Sequence, residues 1–248
     1  YDGLIVDYFN SQSKKLFPPK KIFFGNLLEE LRYGENPHQK AAIYTINKKL
    51  NINQLSGKQL SYNNYNDIFS ALLISKSLPK NKGTVIVKHS NPCGVSINKD
   101  KVKSYKLALN CDPISAFGGV VSCNFKIKKN LALEMKKIFL EIIVCNGIED
   151  DALKILKNKK NLRIIDSSFL NKMNLNQISS NINSYLLQTP DDFSFLKSNF
   201  KVVSKIKPST KTLKNLLFAF NICRFVRSNA IVLTNNDRTI GIGAGQSS

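Results

Sequence analysis

Histidine is scarce in this sequence. His38 and His89 are the only two among 248 residues, so a metal centre built on imidazole ligands is poorly supplied. The five cysteines (Cys93, Cys111, Cys123, Cys145 and Cys223) contain no C-x-x-C pair and are odd in number. Without a secretory signal, that favours free thiols in a reducing, cytoplasmic setting over a disulfide framework. Long apolar runs are missing too. No stretch approaches the roughly 18–20 residues that a membrane span needs, so a membrane is not an expected partner. The start, Tyr1-Asp2-Gly3-Leu4-Ile5-Val6, has no basic segment before an apolar one and does not read as a signal peptide. An initiator Met is lacking, and Gly245-Gln246-Ser247-Ser248 stops without a polar tail, so both ends read as cuts and the chain as a fragment. Internal repeats and low-complexity linkers are absent.

Acidic residues are also few. Asp and Glu number 17 against 37 Lys and Arg, a formal charge of +20. One reading is a basic nucleic-acid-binding module, which predicts tight RNA binding that collapses on adding salt. The excess, however, is mostly scattered Lys, without Arg clusters or interleaved aromatics. Compositional drift toward Lys, Asn and Ile accounts for it, so nucleic acid is not an expected partner.

What is present is an alternation of elements. Hydrophobic content of 42% allows a sizeable core. Residues 1–40, with breakers at Pro18-Pro19 and Asn36-Pro37, read as irregular. Helices are expected over 67–78 with Asp67 as cap, 100–109, 129–140, 150–157, and from Ser209 or Thr210 along Leu213, Leu216, Leu217, Phe220 and Cys223. Strands are expected at 84–87, 118–122, 141–145, 162–165, 229–233 and 239–243, the last two joined by an Asn235-Asn236-Asp237 hairpin turn. Asn91-Pro92-Cys93-Gly94 reads as a turn. The polar stretch 166–200 reads as loop holding a subdomain boundary, drawn at 180/181. Strands alternating with helices predict an α/β fold with a mainly parallel or mixed sheet.

Several segments can carry chemistry. Lys88-His89 follows a buried strand and precedes a Pro-Gly stretch, so a rigid element would position it and a loop expose it. It is either an acid–base pair or a hydrogen-bonded core histidine beside a snorkelling lysine. Arg32-Tyr33-Gly34-Glu35-Asn36-Pro37-His38-Gln39 suits a phosphate pocket, since Arg binds two oxygens at once, or is a solvated turn. Asp112-Pro113-Ile114-Ser115-Ala116-Phe117-Gly118-Gly119 pairs an aromatic with glycines that permit close backbone approach to a flat ligand, or is a strand entry with a core Phe. Gly241-x-Gly243-x-Gly245 is no P-loop, having no Lys-Ser or Lys-Thr after it. Pro92-Cys93 is shared with zinc deaminases, but residue 96 is Ser and no H-x-E occurs, so that enzyme class is excluded.

These segments, with Leu60-Ser61-Tyr62-Asn63-Asn64, Val85 to Gly94, Val226-Arg227-Ser228-Asn229-Ala230 and Gly241 to Gln246, occur in the same order in one family. In that order the chain strongly resembles the 5-aminoimidazole-4-carboxamide ribonucleotide transformylase part of the bifunctional purine-biosynthesis family (transformylase and IMP cyclohydrolase). The resemblance covers nearly the whole chain. It implies a cytidine-deaminase-like α/β sandwich without a metal. Residues 1–180 would be a first transformylase subdomain and 181–248 the start of a second, incomplete one, with the cyclohydrolase domain absent. It implies formyl transfer from 10-formyltetrahydrofolate, a co-substrate, to the aminoimidazole carboxamide ribonucleotide, in a homodimer.

Under the same resemblance, His89 is the proton acceptor and Lys88 stabilises the transition state. Arg32 and Tyr33 hold phosphate and ribose. Asn64, Gly118, Glu141 and Asn229 line the ribonucleotide pocket, with Phe117 beside it. The acceptor amine is a weak nucleophile, so orientation against the formyl carbon is the main task, and no catalytic metal is needed. An inactive remnant that keeps these motifs by ancestry is the remaining alternative.

Overall fold

A computed structural model of the chain describes residues 1–13, 15–46, 49–170, 177–191, 193 and 195–245. By internal contacts it divides into two units, Tyr1–Asn51 with Gln59–Tyr62, and Ile52–Lys58 with Asn63–Ser248.

In the first unit, helix α1 (Asp2–Ser13) starts with an acidic residue in its first turn and buries none of its residues. Strands β1 (Asn26–Leu31) and β2 (Ala41–Thr45) form an antiparallel pair with an irregularity between Leu27 and Glu29. The loop joining them is closed on itself. Gly34 N donates to Gln39 O at 2.7 Å, and Asn36 N donates to Gln39 Oε1 at 2.7 Å. Residues 1–40 are therefore not irregular throughout. Pro18-Pro19 separates α1 from β1, and Pro37 sits in the β1–β2 loop, so the breakers punctuate elements instead of preventing them.

The second unit is built on a mixed sheet. In chain order it contains β3 (Asn53–Ser56), α2 (Tyr62–Ser77) from its second residue on, β4 (Gly83–Lys88), β5 (Asn91–Ile97), α3 (Lys101–Leu109), β6 (Val120–Cys123), α4 (Lys129–Met135), β7 (Ile142–Cys145), α5 (Asp150–Lys157) and β8 (Arg163–Asp166). The hairpin β9 (Gln177–Asn181) and β10 (Ser184–Gln188), the helix α6 (Thr210–Cys223) and the hairpin β11 (Ile231–Thr234) and β12 (Thr239–Gly243) follow. The sheet order is β3-β8-β7-β6-β4-β5. The pairs β6–β7 and β7–β8 are parallel; β3–β8, β4–β6 and β4–β5 are antiparallel.

The central strands read as unbroken apolar runs because both of their faces are covered. Ile86, Val121, Cys123, Ile143, Cys145 and Ile164 point to one face, where Tyr105 and Ala108 of α3, Leu131, Ala132 and Met135 of α4, and Ala152 and Leu156 of α5 complete the core. Their strand neighbours alternate to the opposite face. There Ser122 Oγ donates to Ser75 Oγ of α2 at 2.9 Å. Asp100 caps α3, accepting from Val102 N and Lys103 N, and Ser209 caps α6, accepting from Thr212 N. No helix among the described residues is long and apolar enough to cross a membrane.

Several boundaries differ from the sequence expectation. Helix α2 begins at Tyr62, so Asp67 lies inside it and is not its cap. Residues 91–94 are strand β5 rather than a turn; the chain reverses at His89-Ser90, with φ of 51° and 60°. β6 starts at Val120, leaving Gly118-Gly119 in the preceding loop, and α4 stops at Met135. The stretch read as loop contains the β9–β10 hairpin. Its polar Asn- and Ser-rich sequence hides the two-residue alternation that identifies strands.

Candidate functional site

The antiparallel setting of β4 determines where chemistry gathers. Val87 of β4 pairs with Val120 of β6, Val120 with Ile142 of β7, and Ile142 with Arg163 of β8. The C-terminal end of β4 therefore reaches the same sheet edge as the N-terminal ends of three parallel strands. That edge carries Lys88, Gly118-Gly119, Glu141 and Arg163.

Lys88 and His89 stand at the tip of the β4–β5 hairpin. Lys88 is half-buried and His89 exposed. The Lys88 ammonium donates to Phe117 O at 2.6 Å. Gly118 holds φ at +69°, and its amide donates to Phe139 O at 2.9 Å. A Cβ there would meet the Phe139 ring at 3.3 Å and come within 3.9 Å of Lys88 Nζ, so the glycine opens space against both. Phe117 and Phe139 lie 5.3 Å apart, tilted by 49°, with both rings exposed. Asp112 braces the loop by accepting from Ser115 N at 2.9 Å; hydrogen bonding from Ser115 holds its carboxyl below the usual carboxylate range.

A second cluster surrounds Glu141. Asn64, buried on α2, donates from Nδ2 to Glu141 Oε1 at 2.9 Å, and Arg163 NH1 lies 3.4 Å from the same oxygen. Arg163 is itself buried and donates from Nε to Lys58 O at 3.2 Å. The two clusters adjoin through Asp67, one turn along α2 from Asn64. Burial raises the Asp67 carboxyl above its ordinary value; the Ser90 amide and His89 oppose the shift, and Glu141 adds to it. Sequence reasoning missed Arg163, Phe139 and the site position of Asp67. An Arg inside the apolar run Leu162-Arg163-Ile164-Ile165 was the one signal available for Arg163.

Asn229 is exposed in the segment before β11, and the Ser228–Asn229 peptide is cis. Arg227 N donates to Asn91 Oδ1 at 3.2 Å, which ties this segment to the base of the His89 turn. Gly245 N donates to Arg227 O at 3.1 Å. Gln246 of the last motif lies outside the described residues. Arg32 and Tyr33 belong to the first unit, where the Arg32 guanidinium lies 5.3 Å from the Tyr33 ring centroid.

Among the described residues, no three His, Cys, Asp or Glu side chains group as a metal cluster. The Cys93 thiol donates to Ile86 O at 3.5 Å, and burial pushes it up to about 12. Burial therefore keeps it as a neutral thiol.

A family model described as AICARFT/IMPCHase bienzyme matches residues 1–248. Three curated relatives, each named bifunctional purine biosynthesis protein PurH, are similar over nearly all of this chain. They come from Caldicellulosiruptor saccharolyticus, 39% identical over 99% of the chain, and from Leptospira biflexa and Rhodospirillum rubrum, each 40% identical over 100% of it. The chain covers 48–49% of their length, so it spans about half of the curated relatives it matches. With the family's model spanning it from end to end, the chain belongs to the AICARFT/IMPCHase bienzyme family.

Proposed function

We propose that this chain carries the formyl-transfer site of its parent protein. The reaction moves a formyl group from 10-formyltetrahydrofolate to the 5-amino group of aminoimidazole carboxamide ribonucleotide in purine biosynthesis. The parent would close the ring to IMP in a separate domain. The observation that carries the reading is the hairpin tip: Lys88 bonded to Phe117 O at 2.6 Å, with an exposed His89 beside it.

The steps follow from these side chains. The amine nitrogen attacks the formyl carbon and the carbonyl electrons move onto oxygen; the oxyanion then re-forms the carbonyl as the bond to the folate nitrogen breaks and that nitrogen takes up a proton from Lys88 or solvent. His89 takes the proton that the amine loses. The Phe117 bond uses one of the three Lys88 donors, leaving two for the tetrahedral oxyanion or the departing nitrogen. The exposed Phe117 ring offers a face for a flat heterocycle, and Gly118 keeps the space beside it open. Glu141, oriented by Asn64 and Arg163, presents a carboxylate suited to an amine or hydroxyl of the ribonucleotide. Asn229 supplies an amide beside the segment held by Asn91. Arg32 and Tyr33 would take phosphate and ribose, a role supported by the pairing of guanidinium and phenol in their own loop.

The wider frame belongs to the same proposal. It comprises a cytidine-deaminase-like sandwich, a first subdomain to residue 180 and a second from 181, a homodimer, a cytoplasmic setting and no catalytic metal. The mixed sheet covered on both faces and the five free cysteines support the fold and the reducing setting.

In the protein at its full coding length, His89→Ala and Lys88→Ala are each expected to lower the formyl-transfer rate by about 10²-fold or more. A steady-state assay of formyl transfer to the ribonucleotide checks this. Near-normal rates in both variants would move the chemistry elsewhere. An inactive wild type would leave the motifs as ancestry alone.

A further inference from the structure

We propose that Asp67 is a positioning residue whose carboxylate fixes the left-handed His89-Ser90 turn and, through it, the direction of the His89 side chain. The proposal deepens the formyl-transfer reading and takes its kinetic meaning from it.

The β4–β5 connection has two central residues, with Lys88 paired to Asn91 on either side. Both central residues have positive φ, 51° at His89 and 60° at Ser90. That is the geometry of a type I′ hairpin, in which Asn-Gly is the favoured pair because it enters this region most readily. His enters this region more readily than most residues, but Ser does not, so external contacts must hold Ser90 in the turn. Two are present. Asp67 Oδ1 accepts from Ser90 N at 2.7 Å, with Ser90 Oγ at 3.4 Å from the same oxygen. Asn91 Nδ2 donates to His89 O at 3.2 Å, and its Oδ1 accepts from Arg227 N. Of these, the Asp67 contact is the shorter and is charge-assisted.

Asp67 is delivered from a rigid element. Ile68, Ala71 and Leu72 of α2 are at most 1% exposed, so the helix is anchored in the core. The carboxylate bonds the residue after His89, and it lies near enough to interact electrostatically with the imidazole. It therefore acts on the backbone that carries the base.

Four proteins separate this role from a purely structural one: wild type, Asp67→Ala, Asp67→Asn and the double variant Asp67→Ala with Ser90→Gly, all at full coding length. Asn keeps an oxygen that accepts from Ser90 N, and Gly at 90 adopts positive φ without help. Asp67→Ala is expected to lower kcat by about 10- to 100-fold, with KM for the ribonucleotide changed less than about threefold. Asp67→Asn and the double variant are each expected to regain most of that loss. Ser90 amide hydrogen exchange is read in parallel and is expected to speed up at least about tenfold in Asp67→Ala and to return toward wild type in Asp67→Asn.

Unchanged Ser90 exchange in Asp67→Ala overturns the proposal whatever the activities are. So does a kcat within about twofold of an active wild type. If wild type transfers no formyl group but Ser90 protection is lost in Asp67→Ala and restored by Asn, the formyl-transfer reading falls and the turn-positioning role stands. If Asp67→Ala does not fold, the Asn variant decides alone. Slowed catalysis with intact Ser90 protection there would assign the effect to the lost charge and overturn positioning by the hydrogen bond.

Discussion

A Cβ built on Gly94 falls 2.0 Å from the carbonyl oxygen of Ala108, at the end of α3. The glycine sits in the middle of β5, opposite Ile86, and its φ is not in the positive range; what it supplies is the absence of a side chain where a helix end presses on the sheet. Gly94→Ala must push α3 off the strand, and overpacking of this kind costs about 3 kcal/mol. A urea unfolding midpoint lowered by that amount divided by the slope, with the slope itself unchanged, is the expected result. A midpoint equal to wild type would mean that the α3 terminus yields freely. Gly118 is different in kind, because its φ of +69° is the requirement, and it lies within the site. The candidate site was partly visible in the sequence. Lys88, His89, Phe117 and Gly118 stand out by their position between a strand and a loop. Arg163 and Asp67 did not, because a buried arginine and a mid-helix aspartate acquire meaning only from partners 22 residues away in one case and 23 in the other.

Thr239 of β12 bonds twice to the sheet edge through its side chain. Thr239 Oγ1 accepts from Val95 N at 2.9 Å and donates to Val95 O at 3.2 Å, with both residues buried. Ile97 N adds a bond to Asp237 O at 2.8 Å. Thr239→Val keeps the shape and removes both Thr239 bonds, leaving a buried amide and carbonyl of β5 unpaired. The expected cost is about 2 kcal/mol. The loss should be local, so amide exchange across β11 and β12 is expected to accelerate more than exchange in β6 and β7. Uniform acceleration throughout the unit would show that the hairpin is not separately docked. Periodicity predicted β11, β12 and α6 well because each carries its own pattern. It missed β9, where Ser and Asn replace the apolar half of the alternation, and β10, where Tyr185-Leu186-Leu187 run together without alternating.

For the whole molecule, the cysteines tie stability to alkaline pH. Burial pushes the Cys93 and Cys123 thiols from 9.0 up to about 12, and Cys145 and Tyr105 shift the same way. The folded protein keeps these protons while the unfolded chain gives them up. It therefore binds more protons between pH 9.0 and about 12, and stability present below 9.0 is lost as pH rises through that window. The charge of +20 works in the opposite direction, since Lys deprotonation relieves repulsion. Comparing wild type with Cys123→Ala at about pH 8 and about pH 10.5 cancels that contribution. The variant loses packing at both values, and its urea midpoint is expected to fall less between them than that of wild type. Equal falls would remove the Cys123 thiol as a source.

The amino-acid sequence by itself determined the alternation of strands and helices, the free thiols and the ordered motifs that identify the family, because these depend on periodicity, composition and residue order along the chain. Tertiary structure alone decided the rest. Strand order and direction bring the end of β4 to the beginnings of β6, β7 and β8, and only that register sets Lys88 beside Phe117 and places Asn64, Glu141 and Arg163 in contact. Pairings across a sheet are set by packing between segments distant in sequence, and local pattern carries no record of them.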